Sequence, residues 1–153
     1  MVLVSELAPA RVFVTEAQVA AIVAHARAWF PNECCGLVAG VERVGADGVR
    51  EKVVRRVFAL TNVDRSPEHF TIDPLEQLAA TREARAEGLT MLGNFHSHPA
   101  TPARQSEEDK RLSYDHAASY LIVSMAGESP DLRSFHFDGE LSHEEELVIL
   151  PDA

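Results

Sequence analysis

The residues best suited to chemistry lie in one stretch: His96 and His98, separated by Ser97, then Ser106-Glu107-Glu108-Asp109 after a short polar loop. The histidines close an apolar run (Leu89, Met91, Leu92, Phe95) that reads as a strand. Side chains at i and i+2 of a strand point to one face, so both imidazoles can converge on one point. Pro99 cannot donate to a sheet ladder and is expected to end the strand. The loop then lets the chain turn back and bring Asp109 in as a third ligand. Two imidazoles and a carboxylate leave the fourth position of a tetrahedral zinc ion open, the layout of a catalytic rather than a structural centre. Each fragment also has an ordinary reading. Many His-x-His pairs are plain surface or core histidines, and Ser106 with Asp109 three residues on is a capping-box helix start. Order and spacing together favour the metal.

The elements that must position these residues follow from periodicity and punctuation. Arg11 to Val14 has strand propensity and leads into Thr15-Glu16-Ala17-Gln18, a capping-box pattern. Val19, Ile22, Val23, Ala26, Trp29 and Phe30 recur at helical spacing, with His25 off the stripe on the solvent side. Pro31 ends this helix and sets Glu33 at the start of a strand, Cys34 to Ala39. Cys34 and Cys35 read as small buried hydrophobes, Cys35 sharing a face with Glu33. After a polar turn from Gly40 to Gly48, Lys52 to Val63 is β-rich and is expected to form a hairpin with the preceding strand. His69 falls in the loop that follows. Asp73 as N-cap, Pro74 at the first helical position and Gly88 past the end bracket a second helix, with Leu75, Leu78 and Ala79 as its buried side. Thr90 to Phe95 delivers the histidine pair, a third helix starts near Ser106, and Ala118 to Met125 is a strand buried on both faces. Ser134 to Asp138 and Leu147 to Leu150 read as shorter edge strands. His116, His136 and His143 fall in connections or on solvent-facing positions. The order β-α-β-β-α-β-α-β-β-β makes the fold class α/β, a mixed sheet with helices against it.

His96-Ser97-His98-Pro99, six residues, and Ser106-Glu107-Glu108-Asp109 together resemble the signature of the JAMM (MPN+) metalloprotease family. Pro31-Asn32-Glu33-Cys34-Cys35-Gly36 is similar to that family's upstream Pro-x-Glu-x-Cys-Gly segment. The likeness continues through Phe70-Thr71-Ile72-Asp73-Pro74 and Tyr120-Leu121-Ile122-Val123-Ser124. It covers nearly the whole chain and is greatest to the short bacterial members. Gln105 stands where such sequences often carry proline, a position that ligates nothing. The resemblance implies one MPN domain over residues 1–153, a compact α/β sandwich around a curved mixed sheet. It implies His96, His98 and Asp109 as zinc ligands with water as the fourth. Glu33 is then the base that does not itself bind the metal, and Ser106 the donor to the oxyanion.

Composition narrows the rest. A chain of 153 residues, 46% hydrophobic and 25% charged, suits an ordinary globular domain with a real core. No signal-peptide pattern opens it, and no apolar run reaches the roughly 18 residues of a membrane span. Two adjacent cysteines give no disulfide framework, which suits a reducing cytoplasm. A formal charge of −10 argues against nucleic acid, whose affinity comes mainly from Lys and Arg. From Asp131 onward there are seven acids against Arg133 alone, which reads as a solvated acidic face.

Three rival readings are weaker. A metal-free MPN scaffold would have lost ligands, and the whole set is here. The related DNA-repair-associated group resembles His-Asn-His-Pro at this motif, against Ser97. A zinc deaminase needs Pro-Cys-x-x-Cys, which the chain lacks. The expected activity is therefore metal-assisted amide hydrolysis. The resemblance points to a ubiquitin-like or sulfur-carrier protein, cut after its C-terminal glycine, with a free peptide or small amide as the alternative substrate. A catalytic zinc beside a sheet also suggests that an extended substrate adds its backbone to an exposed strand.

Overall fold

The computed structural model describes residues 8–152. Its elements are β1 (Arg11–Thr15), α1 (Glu16–Trp29), β2 (Cys35–Val44), β3 (Arg50–Leu60), α2 (Pro74–Ala86), β4 (Thr90–His98), α3 (Glu107–Arg111), β5 (Ser119–Ser124), β6 (Asp131–Phe137) and β7 (Ser142–Leu150). This is the element order read from the sequence. The helix starts follow local chemistry. Thr15 caps α1 in a capping box with Gln18, and Asp73 accepts from the backbone N–H groups of Leu75 and Glu76 ahead of Pro74. Gly88, at φ +75°, turns the chain out of α2 toward β4.

The strands close on themselves in the order β1-β3-β2-β4-β5-β6-β7, with β7 returning to β1. The β2–β3 hairpin is antiparallel and longer than expected: β2 runs on to Val44, so the turn is confined to Gly45–Gly48. β4 lies between antiparallel β2 and parallel β5. The two shorter strands expected at an edge are not edges. β6 pairs with β5 and β7, and β7 pairs in parallel with β1 from Arg11↔Glu146 to Thr15↔Leu150. The curved mixed sheet thus closes into a barrel, and each of its seven strands has both sides paired. Pairing between the two ends of the chain leaves no local sequence signal.

One apolar cluster joins α1 (Ile22, Ala26) to Val12, Val14, Val38, Val54, Leu92, Phe95, Leu121 and Val123 from five strands. A second joins α2 to the opposite face of β2 and β3, through Leu37, Ala39, Phe58 and Leu60. Three sequence expectations fail here. His25 lies three residues after Ile22 and so turns inward; its Nε2 sits 3.0 Å from the Cys35 carbonyl and 2.9 Å from that of Leu60. Phe30 follows the end of α1 in extended backbone and is 55% exposed. In α2, Leu75, Leu78 and Ala79 face outward, while Ala80 and Ala84, four apart, form the buried face and let the helix lie close on the sheet. Gly36 has a steric reason: a Cβ there would come within 2.2 Å of the Phe58 carbonyl oxygen and the Phe95 ring.

Candidate active site

Three side chains meet on the outer face of β4. His96 and His98, two residues apart on the strand, turn their Nε2 atoms to within 3.1 Å of each other. Oδ2 of Asp109 lies 3.2 Å from the first and 3.0 Å from the second. Among the described residues they form the one group of three potential metal donors. A tetrahedral ion with ligands at about 2.0–2.1 Å has ligand–ligand edges of about 3.3 Å, so this triangle has the size of one face of a zinc polyhedron. The donor set fits a small divalent cation and leaves the fourth position for water or substrate.

Each donor is held by its own neighbours. Nδ1 of His98 is 2.8 Å from the Pro102 carbonyl. A carbonyl only accepts, so Nδ1 carries a proton there and Nε2 can present its lone pair in the neutral ring. The His96 ring stacks on Phe70 with centroids 4.6 Å apart, and its own Nδ1 is buried without a partner. Asp109 belongs to the capping box that opens α3: Ser106 N–H donates to Oδ2 at 2.9 Å and Asp109 N–H to Ser106 Oγ at 3.0 Å. Capping and clustering are therefore done by one oxygen. Ser97 points to the opposite face, as expected, where its buried Oγ accepts from Cys34 N–H at 2.7 Å.

Protonation follows. Burial drives His96 below the ordinary histidine value, more than Asp109 raises it, which keeps the ring neutral. For His98 burial also lowers the value, but the bonds to Asp109 and the Pro102 carbonyl outweigh it and the net shift is upward. Burial pushes Asp109 up, yet hydrogen bonds from His96, His98 and Ser106 N–H win and hold it well below the ordinary carboxylate range.

Glu33 sits just ahead of β2, 4% exposed, with Oε1 unpartnered. Burial raises its carboxyl to about 8, opposed by the charge of His98 and reinforced by that of Asp109, so the three sense one another. Its placement depends on Asn62, fully buried at the end of β3. Asn62 Nδ2 donates to the carbonyls of Glu33 (3.0 Å) and His69 (3.1 Å), and Oδ1 accepts from the backbones of Asp64 (3.0 Å) and Thr71 (3.1 Å). One amide thereby fixes both Glu33 and the loop that carries Phe70. Ser106 Oγ accepts the Asp109 N–H and retains its own hydrogen for a further acceptor. Cys34 and Cys35 are buried, and burial raises their thiols to about 11 and 12, far from a reactive thiolate.

Sequence reasoning missed Asn62 and underrated Gln105. Gln105 is buried, donates to Ser113 Oγ at 3.0 Å and accepts from Ser142 Oγ at 2.5 Å; Ser113 in turn donates to the Asp109 carbonyl. It ties the helix bearing Asp109 to β7. An asparagine or glutamine with all its bonds made leaves no mark in a single sequence. Of the histidines assigned no chemistry, His69 and His143 pair with Asp64 and Asp138, and none joins the metal triangle. His136 is a correction: far from facing solvent, it is fully buried on β6 and bonds the His116 carbonyl at 2.8 Å.

A cleft of about 30 Å³ opens beside His96 and Asp109, lined by Phe70, Asn94, Gln105 and Tyr120. It shares Asn94, Leu112 and Tyr120 with a groove of about 340 Å³ between β4 and α2.

A family model of prokaryotic homologs of the JAB domain matches residues 15–138. The chain is 35% identical over 131 residues to the CysO-cysteine peptidase of Mycobacterium tuberculosis, covering 84% of this chain and 85% of that protein. It is also 35% identical over 96 residues to the desampylase of Pyrococcus furiosus, covering 63% of this chain and 62% of that protein. Among solved structures, protein DSY2949 from Desulfitobacterium hafniense is 47% identical and superposes with a TM-score of 0.81, over 92% of this chain and 94% of that one.

Proposed function

This chain belongs to the family of prokaryotic homologs of the JAB domain, and from that premise we propose that it is a zinc metallopeptidase acting on carrier-protein conjugates. It hydrolyses the peptide or isopeptide bond after the C-terminal glycine of a ubiquitin-like or sulfur-carrier protein. The observation that carries the reading is the triangle of His96, His98 and Asp109 with the buried carboxyl of Glu33 coupled to it. Two relatives bear names of the same chemistry, a peptidase for CysO-cysteine and a desampylase. Two buried cysteines without a disulfide suit a cytoplasmic setting. Among the described residues no helix is long and apolar enough to cross a membrane.

Zinc held by His96 Nε2, His98 Nε2 and Asp109 Oδ2 would supply a Lewis acid that makes a water nucleophilic near neutral pH. Glu33 takes the proton of the attacking water on its carboxylate. It then delivers that proton to the departing nitrogen, because an amine leaves poorly unless protonated. Burial, which raises its proton affinity, suits it to both halves of the shuttle. Ser106 donates its free hydroxyl hydrogen to the carbonyl oxygen as negative charge develops there, while its lone pair continues to cap α3. The Phe70 ring covers one face of His96 and limits water there.

The test uses zinc-loaded protein and carrier–adduct fusions followed by intact mass. Cleavage is expected only at the bond after Gly-Gly, ending when a chelator is added and failing when the last glycine becomes valine. Equal cleavage of the valine variant would mean the tail is not what is read. Zinc-loaded protein that cuts none of the carriers from its own genome would favour a small amide instead.

A further inference from the structure

An extended substrate cannot join this sheet as an extra strand at the active site, because β4 is already paired on both sides, with β2 and with β5. The tail of a carrier must instead lie across the outer face. The groove that meets the active-site cleft is floored by one row across three strands, Leu37–Asn94–Tyr120, adjacent to the row that contains His96. It is walled by Gln77 and Thr81 of α2 on one side and by Leu112 and Tyr114 on the other. Tyr114 is 79% exposed at the rim.

Within that row the polar groups differ. The Tyr120 hydroxyl is satisfied, donating to the Asp115 carbonyl at 2.8 Å and accepting its N–H at 3.2 Å. The side-chain carbonyl of Asn94 is buried and has no hydrogen-bond partner. A buried amide oxygen left bare is costly, and a leucine or threonine would fit a strand better. Asn94 lies on the same face of β4 as His96 and His98, two residues before the first, and lines both the cleft and the groove.

We infer that Asn94 is a substrate-binding residue: its side-chain amide turns over about χ2, bringing the carbonyl out of its buried, partnerless position to accept a backbone N–H of the carrier tail lying in this groove. The inference rests on the carrier-peptidase reading above. Two strand residues span about 6.6 Å, and an extended chain advances at about the same rate. With the scissile carbonyl at the metal triangle, the N–H about that far upstream belongs to the penultimate glycine. Glycine also lets the backbone approach the row closely, having no Cβ to hold it off. Asn94 would thus fix the tail's register, reading backbone rather than side chain.

The test takes zinc-loaded wild type and Asn94→Leu with two probes. One is an acetylated pentapeptide ending in Gly-Gly joined to aminomethylcoumarin. The other is its depsipeptide twin, with an ester oxygen in place of the penultimate glycine N–H. Wild type should cut the amide probe about tenfold more efficiently than the twin, with the difference in KM rather than kcat. Asn94→Leu should lose about tenfold on the amide probe and nothing further on the twin. Its zinc content should be unchanged and its melting temperature equal or higher, since the substitution removes a bare buried oxygen; a residue kept for structure would move the opposite way. Wild type cutting both probes alike, or Asn94→Leu retaining the wild-type preference, would overturn the assignment, and the wild-type comparison stands even if the variant folds poorly. Wild type that cuts neither probe nor the carrier fusions would remove the functional reading and this inference with it.

Discussion

At the scale of single residues, ligand and base have opposite signatures. Asp109 Oδ2 is shared by both histidines and the Ser106 N–H, so Asp109→Ala removes a proposed metal donor and a helix cap together. That variant, and His98→Ala, should come through purification without zinc, which elemental analysis reads directly. Glu33 contributes no atom to the triangle. Glu33→Gln keeps the volume and the backbone bond to Asn62 but cannot take a proton. It should retain one zinc per chain and lose a factor of about 10² to 10⁴ in kcat. Zinc missing from Glu33→Gln would make Glu33 a ligand and undo the proton shuttle.

At the scale of elements, the site is a strand, a helix start and a loop that Asn62 holds in register. Asn62→Ala would leave four backbone groups without their partner, and each bare buried group costs about 1–3 kcal/mol, so a lower urea midpoint is expected. The folded fraction should still bind zinc while kcat falls, because Glu33 and Phe70 lose their common anchor; an unchanged kcat would show that the loop does not position the base. The elements also differ in how plainly the sequence announced them. Helix caps at Thr15, Asp73 and Ser106 and the largely apolar, wholly buried β5 are local chemistry and were legible. So was the gathering of His96, His98 and Asp109, through spacing and motif. The inward face of α2 was not, because a helix lying close on a sheet buries its alanines and leaves Leu75 and Leu78 outside. Nor was the role of Gln105 or Asn62, since a saturated amide looks like any polar loop residue. Barrel closure was hidden for a different reason: it depends on β7 reaching β1 across the length of the chain, and β7 alternates too weakly to look like an interior strand.

At the scale of the whole molecule, barrel closure buries a charge that the sequence shows only as one of two lysines. Lys52 is 1% exposed on β3, and its Nζ donates to the carbonyls of Leu92 (3.0 Å) and Ala117 (2.7 Å) and to Ser119 Oγ (2.9 Å). It links β3 to β4, the strand that carries His96 and His98, and to the start of neighbouring β5. Burial lowers its pKa to about 8, against the pull of Glu145, from an ordinary value of 10.5. Between about pH 8 and 10.5 the unfolded chain therefore holds more protons at this residue than the folded one, so stability rises with pH across that window. Below pH 8 the folded state carries the full cost of the buried ammonium, offset by its three hydrogen bonds. Lys52→Met keeps most of the volume and has no such titration. The unfolding free energy of wild type relative to Lys52→Met, from urea curves at pH 7 to 10, should climb by up to about 3 kcal/mol above pH 8 and stay flat below it. The tyrosine and cysteine titrations common to both proteins cancel in that difference. A difference that stays flat to pH 10 would mean the three acceptors hold the ammonium as well as water does, with burial of Lys52 setting no penalty.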